Sequence, residues 1–379
     1  MAIVHDLDRA RRRHASKAID WGSTIAMLAT ARRVWKLPLR PSLLVAAVML
    51  ASTLFPTLSL ADQGGVSFWI PGTFGSLAAV PPSPGWSLTI VNYYTSVTAA
   101  GDIAAARLIT IGKLSPTVMV SLNATYRSNL DSVNINPSYA FATPVLGGTL
   151  SLGMTASAGP SSVGIDGTLT LGVGSLVAMR QGSISGSVTG FGDLDPIAQL
   201  FWSSGNNNWF TFLTGDIPVG TYNSSNLANV GIGHGAVDGG GGYTYLDAKT
   251  GREFSVVTGL TYNLINPSTD YQNGIDWHLD WGLSQALSKQ IAIGAVGYIY
   301  DQLTGDSGAG DRVGPFESRV FGVGPQIGFT FAAGTLAAYL NFKGYWELDA
   351  ARRPSGWNAW ATLSLSPNTP VAGKPIVVK

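Results

Sequence analysis

Residues 274–287, read as GIDWHLDWGLSQAL, alternate in polarity. Ile275, Trp277, Leu279, Trp281 and Leu283 fall on one parity, and Asp276, His278, Asp280, Gly282 and Ser284 on the other. Successive side chains of a strand point to opposite faces, so this is a two-faced β-strand; a helix would scatter Trp277 and His278 and leave no clean stripe. The pattern recurs. Phe254, Val256, Thr258, Leu260, Tyr262 and Leu264 oppose Ser255, Gly259, Thr261 and Asn263. Leu336, Ala338, Leu340, Phe342, Trp346 and Leu348 oppose Tyr339, Asn341, Lys343, Tyr345 and Glu347. Further strands are expected over 86–97, 134–141, 149–158, 193–202, 209–219, 290–302, 321–331 and 356–365. Residues 100–130 are ambiguous between a long strand and an extra hairpin. The Gly/Ser-rich stretch 159–189 and residues 221–242 read as loops.

Composition decides what the two faces look at. Only 12% of the 379 residues are charged, 47 are Gly and none is Cys. Soluble domains carry about 25% charged residues and about 7% Gly. After residue 61 no stretch offers the roughly 20 unbroken apolar residues of a membrane helix. Apolar character without membrane helices fits a barrel whose strands alternate between lipid and lumen. The expected fold is all-β: a transmembrane antiparallel up-and-down β-barrel over 86–366. About twelve strands are joined by five short turns and six longer connections. Fourteen are possible if 104–127 or 163–180 forms its own hairpin.

The N-terminus supplies a compartment. Arg32, Arg33, Lys36 and Arg40 precede an uncharged run over 42–61, and Ser59 and Ala61 put small residues at the positions that cleavage requires. Residues 1–61 therefore read as a signal peptide with upstream leader, with Met27 a more ordinary start, and the destination is the bacterial outer membrane. They carry 9 of the 23 Lys/Arg and 3 of the 22 Asp/Glu, so their removal leaves an excess of 5 acidic residues. That balance gives no electrostatic case for nucleic acid. Residues 62–85 are too rich in Pro and Gly for a helix or central strand. They nonetheless carry Phe68, Trp69, Ile70 and Phe74, so they should pack as a lumen plug or over one rim. Residues 367–379 form a C-terminal tail.

Several blocks carry a family resemblance: FATPVLGG at 141–148, TGDIPVGTY at 214–222, NVGIGHGAVDGGGGYTYLD at 229–247, GREFSVVTGLTYN at 251–263 and TDYQNGIDWHLDWGLSQAL at 269–287. They continue through VGYIYDQLTGDSGAGDRVGPF and GPQIGF. In this order they resemble the family named for the meta-pathway of phenol degradation, a set of bacterial outer-membrane β-barrels. The resemblance implies a porin-like barrel associated with hydrophobic or aromatic compounds. It carries over no catalytic motif.

The chemistry on the polar faces is sparse. After residue 61 the His residues are His234 and His278. Asp276, His278 and Asp280 could chelate a metal only with favourable rotamers, because alternate strand residues lie roughly 6.5 Å apart. No Ser motif such as GxSxG accompanies them for a hydrolase. They are expected to form a polar lumen stripe, with no metal, no cofactor and no catalytic residue. Asp306 and Asp311 lack the full spacing of a calcium loop and read as solvated. With Trp202 and Trp209 outward, Phe201, Phe210 and Phe212 point inward. The lumen-lining candidates are Asp276, His278, Asp280, Tyr339, Asn341, Lys343, Tyr345, Glu347, Phe201, Phe210 and Phe212. A lumen that mixes rings with polar groups suits small hydrophobic or aromatic solutes. The expected function is passive uptake of such solutes, with outer-membrane lipids and the outer-membrane assembly machinery as the other partners. The alternatives are a lipid-acting enzyme using His278 as base, and a structural barrel without a solute path.

Overall fold

A computed structural model describes residues 67–100, 104, 108, 120–173, 176–311 and 314–368. The expected signal peptide, the start of the Pro/Gly segment and most of the C-terminal tail lie outside them. Twelve strands form one closed antiparallel barrel, each pairing with its sequence neighbours and β1 closing on β12. They are β1 (Gly85–Ala99), β2 (Val120–Ala140), β3 (Thr149–Val173), β4 (Leu176–Ser204), β5 (Asn207–Asp216), β6 (Ala236–Asp247), β7 (Arg252–Asn263), β8 (Asp276–Ala286), β9 (Ile291–Gln302), β10 (Arg319–Ala333), β11 (Leu336–Ala351) and β12 (Ser355–Pro367). The up-and-down order puts both ends of the barrel and five short turns on one rim. The other six connections lie on the opposite rim.

Three stretches depart from the sequence expectation. Residues 159–189 are not a loop: β3 and β4 run on as a continuous ladder from Gly159↔Gly190 to Val173↔Leu176. Gly and Ser have low strand propensity, but an unbroken cross-strand ladder overrides it. Residues 221–242 are not wholly loop either. β6 starts at Ala236, so its four consecutive glycines, Gly239–Gly242, sit inside the wall between β5 and β7. Within 100–130, β2 runs without interruption from Val120; of residues 101–119 only 104 and 108 are among the described ones, so the expected hairpin over 104–127 lies largely outside them. The count is therefore twelve.

The parity argument sets the two faces of the wall. In β7 every second residue from Glu253 to Asn263 is buried, and those between are exposed except for half-buried Val256. In β8, Asp276, His278 and Asp280 are buried, whereas Leu283 on the opposite parity is exposed. Leu213, Leu260, Tyr262, Phe342, Trp346 and Trp357 are also exposed around the outside. So large an apolar surface matches hydrocarbon rather than water. Outward polar atoms find local partners: Trp277 Nε1 donates to Thr258 Oγ1 (2.9 Å), which donates to the carbonyl of His278 (2.9 Å). Lipid offers no substitute for such bonds.

Eight strands enclose about enough room for wall side chains to fill, so twelve leave a wider interior. Part of it is occupied by the segment ahead of β1, which belongs to the same compact unit as the barrel, Ser59–Lys379. The backbone of residues 72–79 bonds to inward side chains of β6, β7, β8 and β11.

Candidate functional site

The site forms where this N-terminal segment meets the inner wall. Asp280 of β8 accepts two backbone hydrogen bonds, from Gly72 N and Phe74 N, each at 2.9 Å. Lys343 of β11 donates to the carbonyls of Gly72, Thr73 and Phe74. One turn of chain is thus gripped by its N–H groups on a carboxylate and by its carbonyls on an ammonium. Tyr345 OH also reaches the Gly72 carbonyl (3.4 Å), and Lys343 Nζ lies 4.7 Å from the Trp360 ring centre. Both charges are almost wholly desolvated, so each depends on these bonds and on the other's opposite sign. Further along, Leu77 N donates to Glu253 Oε1 (2.9 Å) and Ala79 N to Thr244 Oγ1 (3.0 Å).

Beside this grip lies an aromatic cluster. Trp69 stacks on His278, with centroids 3.7 Å apart and planes 12° from parallel. Phe212 lies 5.9 Å from Trp69, and Phe74 packs on Phe210 at 5.5 Å. Phe210 stacks in turn on Phe201 at 5.2 Å. The glycine-rich β6 explains how these rings fit. A Cβ on Gly242 would come 2.6 Å from Phe210, and one on Gly240 would come 2.8 Å from Phe212. Gly259, opposite His278 in register, leaves room in the same way: a Cβ there would lie 2.7 Å from Nε2.

His278 Nε2 sits 2.9 Å from Asp238 Oδ2, with both side chains inaccessible to solvent. Thr261 Oγ1 donates to the same carboxylate oxygen. A carboxylate only accepts, so Nε2 carries the hydrogen. Three buried polar atoms here, Trp69 Nε1, His278 Nδ1 and Asp238 Oδ1, have no hydrogen-bond partner among the described residues.

The sequence-derived candidates separate into groups. Phe201, Phe210, Phe212 and His278 converge on Trp69 and Phe74, and Asp280, Lys343 and Tyr345 converge on residues 72–74. Asp276 lies apart, accepting from Ser67 Oγ (3.3 Å) and Asn263 Nδ2 (2.9 Å). Glu347 accepts from Tyr298 OH (2.9 Å) and Gly356 N (2.8 Å) near the long-loop rim. Tyr339 and Asn341 bond to each other (3.2 Å) towards the turn rim. Asp276, His278 and Asp280 each serve a different partner rather than one shared point. His278 is also not a solvated lumen group, since Trp69 covers it. No serine hydroxyl bonds to either of its ring nitrogens among the described residues.

Asp306 differs from expectation as well. It is buried in the β9–β10 connection, not solvated, and accepts from Gln302 Nε2 (2.7 Å), Gly274 N (3.0 Å) and the Tyr271 hydroxyl. Asp311 caps Gly314 N instead (2.8 Å). The parity reading missed Trp69, Asp238 and Glu253. Asp238 shares the inward parity of Gly240 and Gly242, a signal available once β6 is extended back from Tyr243.

The profile of a family described as "Putative MetA-pathway of phenol degradation" matches residues 142–363. The chain belongs to this family. No curated protein sequence matches it. Among solved structures it is similar to the COG4313 outer membrane channel from Pseudomonas putida F1, with a TM-score of 0.50 and 14% identity over 79% of this chain and 99% of that one. A Pseudomonas aeruginosa FadL homologue aligns with a TM-score of 0.38 and 9% identity over 83% of this chain and 99% of that one. The TodX deltaS2S3 mutant monoaromatic hydrocarbon channel aligns with 0.32 and 12% over 82% and 100%. At these identities the first likeness speaks for the fold of the family member, a closed barrel of the outer-membrane type.

Proposed function

We propose that the protein is an outer-membrane channel for passive uptake of small hydrophobic or aromatic compounds. The observation that carries this reading is the inward cluster of Phe201, Phe210, Phe212 and His278, set inside a barrel whose outer face is apolar. A lumen that gathers ring faces receives flat apolar solutes, whereas a lumen of polar groups alone passes ions and water. Membership of a phenol-degradation family and the likeness to a channel fold support the same reading. Residues 62–85 act as a plug, because the segment's backbone is bonded to the inner wall over 72–79. Residues 1–61 act as an export signal cleaved after Ala61, and the assembly machinery and lipids of the outer membrane are its partners there.

The test is uptake by whole cells of a Gram-negative host, where the outer leaflet is the barrier. Cells displaying the full chain should accumulate labelled toluene or phenol faster than vector-only cells. Removal of residues 67–80 should accelerate accumulation further. Equal rates in all three, with surface display verified, would overturn the channel reading. Mass spectrometry of the outer-membrane protein should find Asp62 at its N-terminus.

A further inference from the structure

We propose that residues 77–79 are the inner gate of the lumen, and that Glu253 is the positioning residue that latches it. This inference rests on the channel reading and adds where a solute leaves the barrel.

The N-terminal segment descends along the inward face of β8. Ser67 meets Asp276, Trp69 meets His278, Phe74 meets Asp280, and Ser76 lies against Gly282. A Cβ on Gly282 would come 2.7 Å from Ser76 N, so the glycine admits the chain there. The next three residues separate two apolar spaces. On one side, Ala78 and Ala79 pack against the cluster of Trp69, Phe201, Phe210 and Phe212. On the other, Leu77 closes a cavity of about 70 Å³ that Leu246, Ala286 and Ile291 also line. Ala248 and Ser288, from the turns after β6 and β8, place this cavity at the turn rim. A single thickness of chain, two of its three residues alanine, thus stands between the ring cluster and the rim.

Both ends of this partition are held by one chain of hydrogen bonds. Leu77 N donates to Glu253 Oε1 at 2.9 Å, and Ala79 N to Thr244 Oγ1 at 3.0 Å. The Thr244 and Ser255 hydroxyls lie 2.7 Å apart, and Ser255 donates to Glu253 Oε1. Ser255 gives its one hydrogen to the carboxylate, so it accepts that of Thr244. The chain therefore runs from Ala79 N–H through Thr244 and Ser255 to Glu253, with the carboxylate setting its direction. Ser284 Oγ holds the other carboxylate oxygen at 2.8 Å. Removing Glu253 loosens both ends of the partition at once. Leu77 is also not at rest: its φ of 67° is in the left-handed region, which a leucine enters only under constraint. Its N–H on Glu253 and its carbonyl, bonded by Val80 N at 3.1 Å, supply that constraint. Once released, Leu77 returns to ordinary backbone angles, its side chain leaves the cavity, and the cavity joins the ring cluster.

Uptake of labelled toluene by whole cells displaying the full chain tests this, together with amide exchange on the purified protein in detergent. Glu253→Ala should raise uptake roughly fivefold, the worth of one hydrogen bond in a gating equilibrium. The amides of Leu77 and Ala79 should exchange faster, while those of Gly72 and Phe74, held by Asp280, keep wild-type rates. Ser255→Ala, a milder break in the same chain of bonds, should move both readouts the same way even if Glu253→Ala fails to fold. The chain has no Cys, so Leu77→Cys with Ala286→Cys lets a reversible bis-methanethiosulfonate cross-linker lock the gate across the cavity. Locking should bring uptake down to the vector level, and reduction should restore it. Uptake that continues in the cross-linked protein would put the exit elsewhere and overturn the gate. Unchanged exchange at Leu77 and Ala79 in the latch variants would overturn the role of Glu253. Either result leaves the channel reading intact while uptake stays above the vector control. Wild type and every variant at the vector level, with surface display verified, would remove the channel reading instead.

Discussion

The indole of Trp69 lies flat on the imidazole of His278, one from the segment ahead of the barrel and the other from the middle of β8. The same segment is gripped one turn later by Asp280 and Lys343. Stacking and grip act on one short piece of chain, so weakening either should free it.

Lys343→Met keeps much of the side-chain volume and removes the ammonium. Three backbone carbonyls lose their donor. A buried acceptor left unpaired costs about 1–3 kcal/mol. The loss should appear as faster amide exchange over residues 72–80 and as larger single-channel conductance in a planar bilayer. Unchanged exchange there would show that the grip does not hold the segment.

Neighbouring residues of β8 should respond in opposite surroundings. Leu279→Arg puts a charge on the lipid side, at about 2–4 kcal/mol near mid-depth and less towards the interface. His278→Ala acts from the inside, removing the Trp69 stack and leaving Asp238 with Thr261 alone. Both should lower the urea midpoint of refolding into lipid. Only His278→Ala should also expose Trp69 to an aqueous quencher.

The glycines of β6 should differ by parity. Gly240→Ala meets Phe212 and the β7 backbone, an overpacking that costs about 1–3 kcal/mol. A Cβ on Gly239, facing out, finds nothing closer than 3.7 Å. The temperature at which the folded barrel converts to its slower-migrating form on a gel should fall for Gly240→Ala and hold for Gly239→Ala.

Asp306 predicts a pH dependence in the connection between β9 and β10. Burial raises its pKa to about 6, against the opposing hydrogen bonds from Tyr271, Gly274 and Gln302, and the Asp276 carboxylate adds to the rise. The folded loop therefore favours the protonated acid. Its contribution to stability is fully present below the unfolded value near 4 and is lost as pH rises through about 6. Proteolysis of residues 303–311 should be slower at pH 4.5 than at pH 7.5 after correction for protease activity. Asp306→Asn should flatten the difference.

The barrel was legible because its cause is local. A period of two puts Trp277 and His278 on opposite faces whatever else the chain does, and charge scarcity with exposed aromatics sets which face meets lipid. The inward assignment of Phe201, Phe210, Phe212, Asp280 and Lys343 follows from the same parity. Where local signals were weak or pointed the other way, the strands were hidden. The glycines of β6 read as a loop because nothing nearby announces the rings of Phe210 and Phe212 that occupy their missing side-chain space. The Gly/Ser stretch of β3 and β4 reads as a loop because its strand character comes from pairing across the hairpin.

The contacts of the site were decided by tertiary structure alone. Asp238 meets His278 through the registers of β6, β7 and β8, and Trp69 meets His278 only after the barrel has closed around it. Parity says which way a side chain points. It does not say at what height a strand is registered, or which distant residue waits there, because each depends on bonds between segments far apart in the chain.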